Sequence, residues 1–450
     1  MKKATILCLL LAALAAAFLT GAAAVLDGRK DDVTVTETVL SGDPSAAAGL
    51  TVHGAFTFDR RLFWNVDFAA GENGARSAFR FSHVQEEQPF SAPDSSGVLC
   101  ELFGDANDDY DSLAAVLTGL ENRTPPGEER NEIVRLADYY DVYPLYVYLD
   151  YPGYAQAVPY FRAPEGASAD LDARMQRAFA EAFPLPVDPA VEIEAHLTKQ
   201  ADGTVVSHGY GSHNAAQTLG CDSAVTDEGV YFILSSDGEL PVDFNGLPQG
   251  YGVYFLPMIP DENGNPAPDP DGLRNVFPLD RTEFGDIGLY ARNGELLLLT
   301  YERGSYDLTV IDRATMEPRQ RLSLPEADVT QYASHTALFE EDFVVLFLGS
   351  SRFALLLDDG AGGYRLAFVH ALTENGHQLP LVWGGCTLAD WDGERLALFS
   401  WHKDLYLVVY GADGLRYEGA FETSFSPVSD EWTASDALAV ELTDLQIAWQ

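Results

Sequence analysis

The chain has 450 residues, 47% hydrophobic and 12% aromatic, enough for a large buried core and too apolar for a disordered chain. Its 27 Lys and Arg against 69 Asp and Glu leave a formal charge of −42, a surface that repels phosphate backbones and anionic headgroups and so excludes direct nucleic-acid binding. The acids are scattered rather than run together, the pattern of a soluble, self-repelling surface.

The amino terminus reads as a targeting segment. Lys2 and Lys3 precede an uncharged stretch, residues 4–26, and the small residues at 21–24 suit cleavage near Ala24. As a helix this stretch rises about 34 Å, against about 30 Å for a bilayer core, so a retained anchor competes with a cleaved signal. In either case the lysines keep the start cytoplasmic and place the body outside. Residues 1–26 are thus expected to be a signal peptide or membrane anchor, 27–50 a polar linker with an edge strand at 33–39, and 51–450 the folded domain.

Residues 51–58, 62–68 and 78–81, separated by turns at 59–61 and 71–74, read as the strands of a first sheet. An acidic loop follows at 105–111, then residues 112–120 as a short helix or strand. A tyrosine-dense stretch between Tyr139 and Tyr154 suits strands packed between sheets. Residues 169–183 form a helix, with Leu171, Met175, Ala178, Phe179 and Ala182 on one stripe and Pro184-Leu-Pro186 stopping it. Residues 191–197 and 204–208, around Ala201-Asp-Gly203, make a hairpin.

From residue 221 a phrase recurs: an apolar strand, an acidic or glycine turn, then a hydrophobic run. With Gly229, Gly294, Asp342 and Gly393 as the common turn position, the spacings are about 65, 48 and 51 residues. The extra length of the first interval falls in residues 257–278, dense in Pro, Asp, Asn and Gly and read as an exposed loop. Two further strands follow the turn in the later repeats, giving four strands per unit. The expected fold is therefore all-β, a β-propeller-like closed ring of six to eight four-stranded blades with one short helical insertion. A strand from the chain's end, residues 437–442 or 445–449, should join a blade at the other end to close it. The resemblance is to propeller architecture in general. The Gly-His…Trp-Asp, repeated Gly-Gly and Ser-x-Asp-x-Gly-x-Thr-Trp signatures of the WD40, kelch and sialidase classes do not occur.

Candidate chemistry is sparse. Asp105, Asn107, Asp109 and Asp111 place oxygens on alternate residues, the local arrangement that wraps calcium, although Tyr110 and Val116 stand where an EF-hand loop needs glycine and glutamate. Asp261, Asn263 and Asn265 begin in the same way. His208 and His213 flank Gly209-Tyr-Gly-Ser212, but Asn214 replaces the second glycine of a nucleophile elbow. His370, His377 and His402 make no i, i+4 metal pair. Cys100, Cys221 and Cys386 are too far apart for a ligand set and read as free cysteines, one bridge staying open. No catalytic or cofactor-binding residue is assigned, and calcium is the one candidate cofactor.

Three functions fit this chain. The first is an exported, non-enzymatic binding protein with an extracellular ligand or protein partner, touching membrane only through residues 4–26. The second is a secreted glycan hydrolase or lyase with Trp383, Trp391 and Trp401 along a sugar groove, or packed between blades. The third is an anchored sensor or assembly factor. The calcium reading makes a direct prediction. Calcium should raise the unfolding temperature at constant ionic strength, magnesium should do less, and Asp109→Ala should remove most of the rise. Equal responses to calcium, magnesium and matched sodium chloride would mean charge screening alone.

Overall fold

The computed structural model describes residues 2–29, 35–58, 62–70, 75–81, 97–101, 111–143, 145–151, 169–213, 219–236, 240, 242–280, 286–302, 304–324, 336–348, 352–372, 386–401, 405–423 and 440–449. The chain forms two compact units, residues 1–91 with 328–450, and residues 92–327.

The amino-terminal part of the first unit carries helix α1 (Lys2–Arg29) and strands β1 (Val35–Gly42), β2 (Leu50–Phe58), β3 (Leu62–Ala69) and β4 (Ala75–Phe81). The second unit begins with β5 (Gly97–Glu101), α2 (Asp111–Arg123), β6 (Glu129–Arg135), β7 (Tyr146–Asp150), α3 (Ala169–Ala182), β8 (Glu192–Lys199) and β9 (Val205–Ser212). It continues with β10 (Leu219–Thr226), β11 (Gly229–Ser236), β12 (Gly252–Pro260), β13 (Pro266–Pro268) and β14 (Arg274–Pro278), then β15 (Asp286–Arg292), β16 (Glu295–Glu302), β17 (Ser305–Asp312) and β18 (Glu317–Leu324). The first unit resumes with β19 (Thr336–Phe339), β20 (Phe343–Leu348), β21 (Arg352–Asp358) and β22 (Tyr364–Ala371), followed by β23 (Cys386–Trp391), β24 (Leu396–Trp401), β25 (Leu405–Gly411), β26 (Gly414–Thr423) and β27 (Val440–Trp449).

The sheets are antiparallel meanders, β15-β16-β17-β18, β19-β20-β21-β22, β10-β11-β12-β14 with β13 also on β12, and β23-β24-β25-β26 with β1 added at its edge. A further sheet, β27-β2-β3-β4, joins the chain's two ends. Smaller sheets, β6-β8-β9 and β5-β7, lie in the second unit. First strands of successive sheets are neighbours: β5 with β10 and β10 with β15 in the second unit, β19 with β23 and β23 with β27 in the first. These are propeller blades, and the fold is of the β-propeller class.

The recurring phrase marks one structural position, the turn from first to second strand. Its loops are Asp227-Glu228, with Gly229 following, Asn293-Gly294, Glu341-Asp342 and Gly393-Glu394. The chosen turn residues thus fall in equivalent turns, offset by a residue or two. Asn293 and Gly294 both take positive φ, 46° and 81°, the requirement of a tight hairpin whose twist matches its strands.

The hydrophobic run after each turn is the second strand, buried on both faces. Along β24, Leu396 and Leu398 pack with Phe353 and Leu355 of β21, while Ala397 and Phe399 pack with Val52 and Phe68 of the β27-β2-β3-β4 sheet. Such a strand has no solvent side, so it shows an unbroken apolar run rather than alternation. β16 and β20 repeat the pattern, with Leu296–Leu299 and Phe343–Leu348 buried throughout.

Aspartates on first strands staple neighbouring sheets. Asp222 Oδ1 accepts the Ser223 N–H (2.8 Å) and its Oδ2 the Leu289 N–H of β15 (3.0 Å). Asp390 repeats this, with Oδ1 accepting from Trp391 N (2.9 Å) and Oδ2 from Trp449 N of β27 (2.7 Å).

The chain ends meet at one arginine. Arg395 lies over the Trp449 ring at 3.9 Å, donates Nη1–H to Ala46 O (2.8 Å) and Ala48 O (3.3 Å), and donates Nε–H to Asp392 Oδ2 (2.7 Å). Burial alone would raise the Asp392 pKa, but the N–H groups of Arg395 and Glu394 and the Arg395 guanidinium outweigh it and hold the carboxyl below its usual range.

Several expectations are corrected. Residues 257–278 are not a loop: β12 runs on to Pro260, and β13 and β14 pair back onto it, burying Pro268, Leu273 and Phe277. Proline is tolerated there because β13 is a three-residue edge strand. Helices α1 and α2 join the single expected insertion α3. Residues 112–120 fall in α2, where Leu113, Val116 and Leu120 recur at helical spacing and are buried. Residues 440–442 of the first alternating stretch near the carboxy terminus and the whole of the second, 445–449, lie in one strand, β27, continuous through a register shift opposite Ala55–Phe56.

Arg395→Ala should lower the unfolding free energy by about 2–4 kcal/mol, since two carbonyls lose a charged donor and Trp449 loses its cation. Asp390→Ala should cost about 1–3 kcal/mol by orphaning N–H groups. Denaturant melts check both against Asp227→Ala at an exposed ion pair, expected to change little. Asp392, with its lowered pKa, contributes fully above about pH 4 and loses that contribution as pH falls through the folded value. Asp392→Asn should therefore flatten part of the acid limb of stability against pH.

Candidate functional site

A cleft among the described residues is built in the second unit on α3. One stripe of that helix is apolar and buried: Met175, Phe179 and Ala182, with Leu171 and Ala178 packed beside them. Phe179 stacks on Phe232 of β11 at 5.7 Å, and Phe183, just past the helix, meets Tyr254 of β12 at 4.6 Å. This anchorage turns the polar stripe Arg174, Arg177 and Glu181 outward along a groove of about 570 Å³.

The facing wall is the short turn Pro270–Gly272 with Leu273, and Gln249 completes the lining. Gly272 is required by close approach, because a Cβ there would lie 2.6 Å from Pro257 Cγ. Gln249 is held by Asn275, whose backbone N–H donates to Gln249 Oε1 (2.9 Å) and whose Nδ2 donates to Gln249 O (3.2 Å) and Gly250 O (2.9 Å). With Oε1 engaged, the Gln249 side chain keeps Nε2 as a donor.

The charges of the groove are unevenly satisfied. Arg174 Nη2 donates to Asp271 Oδ2 at 2.6 Å, with Asp269 Oδ1 at 4.0 Å. Arg177 and Glu181 line the same cleft and make no ion pair among the described residues. Such an arrangement can bind and orient a small polar molecule.

The residues singled out from sequence lie elsewhere. Asp105, Asn107 and Asp109 fall outside the described residues, and Asp111 is the first residue of α2. Asp261 Oδ1 accepts the N–H groups of Asn263 and Asn265, both at 2.8 Å, closing the β12–β13 turn. Those bonds, led by that from Asn265, hold its pKa below the usual carboxylate range. Among the described residues no group of three His, Cys, Asp or Glu side chains is placed to hold a metal.

Residues 209–212 lie in β9 rather than on a strand–turn–helix elbow. His208 pairs with Leu197 and Ser212 with Ile193 along a straight ladder, roughly 13 Å apart at strand rise, too far for a nucleophile–base pair. His213 lies 3.8 Å from Glu194 Oε2. His370 sits 2.9 Å from Gly411 O through Nε2 and stacks with Phe368 and Tyr410, a packed position between sheets. Trp391 meets Phe368 at 6.1 Å, again packing. Trp401 ends β24, while His377, His402 and Trp383 fall outside the described residues. Cys221 lies in β10, Cys100 in β5 and Cys386 in β23.

The groove is not legible in the sequence because most of its second wall, Pro270 to Leu273, falls in residues 257–278, read as an exposed loop, and nothing local marks Gln249. The one local signal was the spacing of Arg174, Arg177 and Glu181 opposite the apolar stripe.

No family model matches the chain, and no curated protein matches it. Solved structures similar to it include apo AztD from Citrobacter koseri, at 10% identity over 84% of this chain and 99% of that one, TM-score 0.27. The periplasmic gluconolactonase of Pseudomonas aeruginosa is 12% identical over 82% of this chain and 81% of that one, TM-score 0.26. The β-propeller domain of Nup133 from Vanderwaltozyma polyspora is 10% identical over 58% and 91%, TM-score 0.21. Scores of this size carry no argument about function, and the assignment to the propeller class rests on the strand pairing above.

The wall predicts its own sensitivity. Gly272→Leu, with a bulky side chain forced against Pro257, should displace the Pro270–Leu273 turn and cost about 1–3 kcal/mol, whereas Gly246→Ala, at an open position, should be close to neutral. Denaturant melts of the two variants check this.

Proposed function

We propose that the chain is an exported, non-enzymatic binding protein that works at the cell exterior, with the α3 groove as its ligand site. The observation that carries this reading is the groove itself, a concave cleft between α3 and the Pro270–Leu273 turn, where Arg177 and Glu181 make no ion pair among the described residues. The groove supplies guanidinium, carboxylate and amide groups, which bind a polar ligand by hydrogen bonding.

Export is supported by α1. Its side chains Leu10, Leu11, Leu14, Phe18, Leu19 and Val25 are all more than half exposed. Each such apolar side chain left in water forgoes about 1.5–3 kcal/mol of burial. A helix of this kind is stable only when lipid or a translocation channel covers it, or when it is removed. Among the described residues no helix is long and apolar enough to cross a membrane, and export through a cleaved segment needs none.

Protease added to intact cells should digest the body of the protein. Amino-terminal sequencing of the mature chain should then begin near Val25, and a start at Met1 would contradict cleavage. Complete protection in intact cells would contradict export, and turnover of a glycan panel by the purified chain would contradict the non-enzymatic part.

A further inference from the structure

We infer that the α3 groove binds a small organic monoacid, its carboxylate held by Arg177 and Gln249 and its neighbouring hydrogen-bond donors turned to Glu181. This rests on the reading of the groove as the ligand site and adds the chemical class of what it takes.

The charges on the walls select the ligand. Arg174 is already met by Asp271 at 2.6 Å, with Asp269 close by. What the groove offers a ligand is therefore one guanidinium, at Arg177, and one carboxylate, at Glu181, four residues further along α3. A guanidinium presents two parallel N–H donors that match the two oxygens of a carboxylate. Gln249 Nε2 adds a neutral donor, because Asn275 engages its Oε1.

A second negative charge on the ligand would meet Glu181 and Asp271, with Asp269 beside Arg174, within the field of a chain at −42. That disfavours phosphate and sulfate dianions and dicarboxylates. The Glu181 carboxylate accepts hydrogen bonds only, so the part of the ligand beside it must donate. Ammonium and hydroxyl groups both do so, as in a free α-amino acid or a hexuronic acid. The volume of about 570 Å³ admits either molecule, and Ala178, Ala182, Pro270 and Leu273 give the carbon skeleton an apolar bed.

The test is calorimetry on the full chain at low salt, with free α-amino acids and hexuronic acids each paired with an uncharged counterpart, the amino-acid amide or the neutral hexose. At least one acid should bind, about tenfold or more tightly than its counterpart, and Arg177→Gln should remove that margin. Arg177 is exposed on α3, and an unchanged melting temperature confirms that the variant folds. Glu181→Gln separates the two sources of donors: it should weaken an amino acid strongly, by removing the partner of its ammonium, and a hexuronic acid only slightly. Equal affinity for acid and uncharged counterpart, unchanged by Arg177→Gln, would overturn the ligand class while leaving a binding groove. Absence of binding by every acid would overturn the inference as well, and the protease experiment on intact cells then judges export independently.

Discussion

The structure depends on one constraint: a strand that is apolar on both faces must lie between two other sheets. Leu396, Ala397, Leu398 and Phe399 are all buried, with alternate residues facing different neighbours. A free meander would leave one of these faces in water, at about 25 cal/mol for each Å² of apolar surface. Stacking blade against blade removes that penalty for each interior sheet and transfers it to the sheets at the ends of the stack. A propeller resolves it by bringing the two ends of the chain together.

That joining concentrates at the β27-β2-β3-β4 sheet. β27 pairs along the whole of β2, β1 extends the β23-β26 sheet, and each chain end therefore completes a sheet begun by the other. Arg395 ties the β23–β24 turn, the Pro44–Ala47 turn and Trp449 into one node. Asp390 takes up backbone N–H groups that would otherwise face a neighbouring sheet unpaired. Asp222 does the same between β10 and β15, so the device belongs to the blades and is reused at the closure. In the second unit, α3 presents its charged side chains from a helix packed on β11 and β12. The groove follows from the burial of Phe179 and Phe183 against Phe232 and Tyr254.

The elements legible in the sequence were those with a local cause. Asn293-Gly294 announces a hairpin by its backbone freedom, the apolar run 296–299 announces a doubly buried strand, and the stripe from Leu171 to Ala182 announces a helix. β27 was foreseen as a strand and as the closing partner, because an unclosed edge is costly. β13 and β14 were hidden by Pro266, Pro268, Pro270 and Gly272, whose turn chemistry masked residues that pair through tertiary contact. The groove was hidden for a related reason. Gln249 and Asp271 lie about 75 and 97 residues from Arg174, and nothing local to either names the other. His370 and Trp391 illustrate the converse: residue types suggestive of chemistry are held by Gly411 and Phe368 as packing.

Doubly buried second strands are protected by the joining of the chain ends. Hydrogen exchange on the full chain and on a variant ending at residue 439 tests it most directly. Without β27, the amides of β2 lose their paired edge, and Phe399 in β24 loses the cover of Ile447 and Trp449. The account predicts that protection collapses in β2 and falls along 396–400. Protection in both strands equal to that of the full chain would contradict it.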